Sequence, residues 1–121
     1  MSLIGSSNAY FEPVEREAMI EGGLDRDQIN EVIQRHIGEV RFCYEQGLQG
    51  RPELSGRVTM RFLINGRGSV ATANVARTSL RSDSVESCIT QRLKAWKFPE
   101  PRGGVTVKVS YPFLLRRTSQ G

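Results

Sequence analysis

The chain has a single histidine, two cysteines and one tryptophan, so it is poor in the residues that most often carry chemistry. No apolar run approaches the roughly eighteen residues a bilayer-spanning helix needs. A closed zinc site takes a full tetrahedral set of nitrogen and sulfur ligands, and His36, Cys43 and Cys88 are too few for it. His36 and Cys43 also make a poor nucleophile pair. At helical rise they stand roughly 10 Å apart along the axis, beyond hydrogen-bond reach. No phosphate-cradling glycine loop, nucleophile elbow or metalloprotease helix motif occurs, so neither an enzyme nor a bound cofactor is expected. The first thirty residues hold no basic-then-apolar block. The chain therefore reads as an excised domain, with any export or anchor signal expected in sequence beyond it.

What is present suits one globular domain. The 121 residues are 38% hydrophobic and 25% charged, too apolar for wholesale disorder. Lys and Arg exceed Asp and Glu by 17 to 13, for a net charge of +4. The cations are scattered, at Arg57, Arg61, Arg67, Arg77 and Arg81, as on a solvated surface. No nucleic-acid footprint is expected from that spread.

Residues 1–23 show no sustained periodicity and read as a linker or flexible arm, with a short ordered piece around 14–20. Asp25 followed by Gln28 has the form of a capping box. Ile29, Val32, Ile33, Ile37, Val40, Cys43, Tyr44 and Leu48 then recur at intervals of three and four, one stripe along a single helix. His36 sits beside the stripe as a boundary residue with a local hydrogen bond. Gly47, Gly50 and Pro52 end this helix.

The period then changes to two. Val58, Met60, Phe62 and Ile64 alternate with Arg57, Thr59, Arg61 and Leu63, which predicts a strand. Asn65-Gly66-Arg67-Gly68 predicts a hairpin turn. The second strand spans 69–78, and the spacing of Val70 and Ala73 breaks alternation as a bulge does. Ser82 or Asp83 caps a second helix with the stripe Val85, Cys88, Ile89, Leu93 and Trp96, stopped by Pro99 and Pro101. A final strand carries Val105, Val107, Val109, Tyr111 and Phe113 on one side.

The order α-β-β-α-β predicts an α+β two-layer sandwich. Both helices cover one face of a three-stranded antiparallel sheet, with Trp96, Tyr44, Phe62, Phe113 and Met60 in the core. The domain spans 24–116, and 117–121 form a disordered tail.

Two features invite a functional reading. Cys43 and Cys88 lie on the stripes of the two helices, close enough for a bridge, although two buried free thiols fit the pattern equally. The last strand contains Pro112, which lacks an N–H and so points to a sheet edge. Such an edge is either a template for a partner strand or one protected by Lys108 and Pro112.

The stretches QRHIGEVRFCYEQGL from Gln34, LSGRVTMRFLINGRGSV from Leu54, VESCITQRLKAWKFPEP from Val85 and VTVKVSYPFLL from Val105 resemble the AgmX/PglI C-terminal domain. That family is TonB-like, related in fold to the C-terminal domains of TonB and TolA, and occurs in envelope proteins of gliding delta-proteobacteria. The likeness covers 24–115 and is carried by Cys43-Tyr44-Glu45, the hairpin glycine, Cys88, and Trp96 with Phe98 and Pro99.

It implies a periplasmic interaction domain of an inner-membrane-anchored envelope machine for gliding motility or energy transduction. Such a domain engages an outer-membrane or periplasmic peptide by strand addition. On this sequence the implied edge is Val105, Thr106, Val107, Lys108, Val109, Ser110, Tyr111, Pro112 and Phe113. Periplasmic placement in turn implies a Cys43–Cys88 disulfide. The competing expectation is an oligomerisation module whose edge strand pairs with its own copy as a homodimer.

Overall fold

Helix α1 (Arg26–Arg35) starts at the anticipated box. The Asp25 carboxylate accepts the Gln28 N–H at 3.1 Å, and the Gln28 side chain accepts the Asp25 N–H at 3.0 Å. Two of the donors that any helix start leaves orphaned are thereby satisfied. The computed structural model describes residues 9–117.

The single long helix expected from the stripe is two helices. His36 leaves helical geometry (φ −111°, ψ 10°), and the chain resumes as α2 (Ile37–Gly50). The His36 ring stacks on Trp96 with centroids 4.7 Å apart, and its Nδ1 lies 2.7 Å from Glu39 Oε2. The stripe runs on through the break because both helices face the same core. Periodicity therefore does not reveal the kink.

Strands β3 (Gly56–Ile64) and β4 (Val70–Thr78) form the predicted hairpin. Asn65 Oδ1 accepts the N–H groups of Arg67 and Ser69 and locks the turn. Gly68 has φ +88°, and a Cβ there would lie 2.0 Å from the Phe98 carbonyl oxygen, so only glycine fits. The expected irregularity is present: the β3–β4 register shifts between Leu63 and Ile64, opposite Ala71. A second shift lies between Thr59 and Met60, opposite Ala76. Helix α3 (Asp83–Lys94) is capped by Ser82, whose hydroxyl accepts the Val85 N–H at 3.3 Å.

The domain is α+β with the helices against one face of an antiparallel sheet, but the sheet has five strands, not three. The two additional strands come from the segment expected to be a linker. β1 (Ala9–Pro13) pairs with the distal half of β5 (Val107–Arg117), from Ala9 opposite Arg117 to Pro13 opposite Phe113. β2 (Met19–Glu21) pairs with its proximal half, from Met19 opposite Ser110 to Glu21 opposite Lys108. A turn of 3-10 helix at Glu15–Glu17 joins them. Residues 9–23 are thus part of the domain, and of the expected linker only 1–8 lie outside the described residues. Of the expected tail, Arg117 closes β5, while 118–121 lie outside the described residues.

The core is one cluster. Tyr44, Phe62, Phe113 and Met60 are inaccessible and Trp96 nearly so, as the stripes required. Helices α2 and α3 approach closely at Gly47, where a Cβ would sit 2.3 Å from Val85 Cγ2. They are tied there by a disulfide between Cys43 and Cys88, with Cα atoms 5.7 Å apart. Of the two readings open to the cysteines, the bonded one holds.

Candidate partner-binding edge

β5 is not an edge strand. β3 pairs with it on one flank, from Ile64 opposite Val107 to Gly56 opposite Leu115, and β1 and β2 cover the other. The nine residues expected to form a free edge scatter accordingly. Val105 and Thr106 precede the strand and are exposed. Val107, Val109, Tyr111 and Phe113 point into the core. Lys108 and Ser110 lie on the face opposite the helices, and Pro112 is buried.

The proline signal was sound, but its meaning differs. The Pro112 carbonyl accepts the Val14 N–H at 2.9 Å, so the missing N–H lies on the flank facing the N-terminal segment. A residue in a strand presents its N–H and C=O to the same side. The N-terminal segment leaves the ladder there, between Pro13 and Met19. Pro112 thus marks a break in the outer pairing, and the strand as a whole remains interior.

The true long edge is β4. Among the described residues it pairs along its length with β3 alone. At its start the chain leaving α3 closes over it: Ser69 bridges to Lys97, and the Phe98 N–H reaches the Gly68 carbonyl at 2.8 Å. The irregularities at Ala71 and Ala76 then leave Thr72, Ala73, Asn74 and Val75 as an uninterrupted run. Bulges of this kind deter indiscriminate pairing while keeping a short template.

A groove runs between this run and α3, lined by Ala73, Asn74, Val75, Glu86, Ser87 and Thr90. Glu86 is fixed in place, because its Oε2 accepts the Thr78 hydroxyl at 2.8 Å and the Ser82 N–H at 3.3 Å. With Asp83 beside it, the rim is acidic. The sequence did not point to this edge because its residues are small and polar; the topology alone exposes them.

Two clusters define the electrostatics of the domain. Burial is the largest influence on Glu39 and raises its pKa, but hydrogen bonds from His36 and Trp96 Nε1, with the nearby charge of His36 and Arg92, outweigh it. The net direction is downward. Burial pushes the Tyr111 phenol up, the Glu15 carboxylate adds to the rise, and its hydroxyl donates to Asn30 Oδ1. Tyr44 is likewise raised by burial and donates to the Leu54 carbonyl at 2.5 Å. These groups are satisfied structural contacts. No set of His, Cys, Asp and Glu able to hold a metal is found among the described residues.

No family model, no curated protein and no solved structure matches this chain.

Proposed function

We propose that the domain is a non-catalytic interaction module of a TonB-like cell-envelope machine, engaging a partner peptide by strand addition at β4. The observation that carries this reading is a nine-residue strand that, among the described residues, pairs along its length on one side only, with a groove and an acidic rim alongside. A sheet edge supplies main-chain hydrogen bonds to any extended peptide, and the groove supplies side-chain selection. Ala73 and Val75 favour small or apolar side chains on the helix side of the added strand. Asp83 and Glu86 favour a lysine or arginine at its end near the start of α3.

The disulfide supports an oxidising compartment, and a periplasmic location agrees with it. No helix among the described residues is long and apolar enough to cross a membrane.

The test is an NMR titration of the full chain with extended basic peptides drawn from envelope proteins. Shifts and gained amide protection along 70–78, with smaller shifts at Ser87 and Thr90, support strand addition. Shifts confined to the far flank at β1 and β2, or to α1, refute it. A Glu86→Lys variant is expected to weaken binding about tenfold, as loss and reversal of one charge contact does.

A further inference from the structure

We infer that residues 9–21 form an exchangeable arm, and that the β5 flank it covers is a self-association site for the same segment of a second copy. This inference is independent of strand addition at β4.

The arm is held by contacts to the body of the domain. Beyond its two ladders with β5, Arg26 Nη1 donates to the carbonyls of Glu15 (2.5 Å) and Ala18 (2.9 Å), and Glu17 pairs with Arg57 at 2.6 Å. Ala18 is buried within the core cluster, and Ile20 packs against it opposite Val109. Each contact joins arm to body, so the same set forms when the arm belongs to another copy, and exchange sacrifices none of them. The arm also defines its own ligand chemistry: a small residue at the Ala18 position, an apolar one at Ile20, and acids placed for Arg57 and opposite Lys108. A second copy of this chain satisfies every requirement, which is why we assign the site to it.

The hinge favours exchange. Only residues 22–25 link β2 to α1, and they must reverse the chain. Gly22 holds φ +136°, where a Cβ would lie 2.9 Å from Val107 Cγ2. Gly23 packs so tightly that a Cβ would stand 2.4 Å from the Arg102 carbonyl oxygen. The native glycines make this turn without a clash, but four residues leave it no slack, and short hinges are those that domain swapping exploits.

The experiment places cysteines at the facing pair Met19 and Ser110, in the full chain with its native disulfide formed. Met19→Cys/Ser110→Cys protein is refolded at low and at high concentration, oxidised, and read by light scattering and non-reducing electrophoresis. At low concentration the cross-link closes within one chain. At high concentration a covalent species of twice the mass is expected, its ratio to monomer rising in proportion to monomer concentration. Adding Gly22→Val strains the closed turn and is expected to raise that ratio at least tenfold. Cross-links that stay within single chains at every concentration in the hinge-native protein overturn the inference. So does a Gly22→Val dimer that separates into monomers on the gel. If Gly22→Val fails to fold, the hinge-native protein alone decides.

Discussion

Breaking the Cys43–Cys88 bridge is the perturbation with the largest effect that can be worked from the structure. The bond joins residues 45 apart and ties α2 to α3 one helical turn from the Gly47–Val85 contact. A cross-link removes conformations from the unfolded chain, and for a loop of that length the chain-entropy model gives about 4 kcal/mol at room temperature. That is a large part of the 5–15 kcal/mol that typically separates folded from unfolded domains. With a urea slope of about 2 kcal/mol per molar, the midpoint should fall by about 2 M on reduction. The slope itself should rise, because the reduced unfolded chain is more expanded and exposes more surface. The assay is equilibrium urea unfolding followed by Trp96 fluorescence, with and without reductant, and with a Cys43→Ala/Cys88→Ala chain as a control free of thiol chemistry. Cys43 is buried, so the alanine control carries a small additional packing loss. A midpoint shift under about 0.5 M on reduction would refute the reasoning: the bridge would then join positions that remain close in the unfolded chain.

Two of the glycines of α2, Gly38 and Gly47, should respond with opposite signs. Gly47→Ala drives a Cβ into Val85 and should destabilise by about 1–3 kcal/mol, whereas Gly38 faces open space and Gly38→Ala should stabilise by about 0.5–1 kcal/mol, both read from thermal midpoints. Because the folded pKa of Glu39 lies below its ordinary value of 4.5, its contribution is present above that pH. It is lost as pH falls through the lower folded value, so Glu39→Gln should cost stability at neutral pH by an amount that shrinks in acid, flattening the acid limb of a stability–pH profile. The buried tyrosines act at the opposite end. Tyr44 and Tyr111 both have folded pKa values above 10, so stability is held below pH 10 and falls as the unfolded chain begins to release phenolic protons; absorbance near 295 nm during alkaline titration should show both titrating late. Tyr111→Phe removes the donor to Asn30, itself largely buried, and should cost about 1–3 kcal/mol in urea unfolding.

Much of the body of the domain was legible in the residue order. The Asp25–Gln28 box, the alternation from Val58 to Ile64, the Asn65-Gly66-Arg67-Gly68 turn, the irregularity near Val70 and the Ser82 cap are all written in short-range patterns, and each forms as read. Local rules suffice there because a cap, a turn and an alternating strand depend on neighbours within a few residues. The aromatic core followed from the same stripes, since apolar surfaces on two helices and a sheet have one economical way to be buried.

Tertiary structure alone decided the rest. The stripe through Ile33, Ile37 and Val40 is continuous, so only the seating of His36 on Trp96 reveals two helices. Residues 9–21 carry too few apolar positions in a row to announce strands; they become strands because β5 presents an unpaired flank whose backbone groups need partners. That docking moves one edge of the sheet from β5 to β1 and β2, and leaves β4 as the long one. The cysteines follow the same logic. Their types and positions permitted a bridge, but whether the two sulfurs meet depends on how closely α2 and α3 pack, and that distance is set by Gly47 lying against Val85. Side-chain pattern is a property of one segment. Adjacency is a property of two, and which strand is left without a neighbour depends on all five.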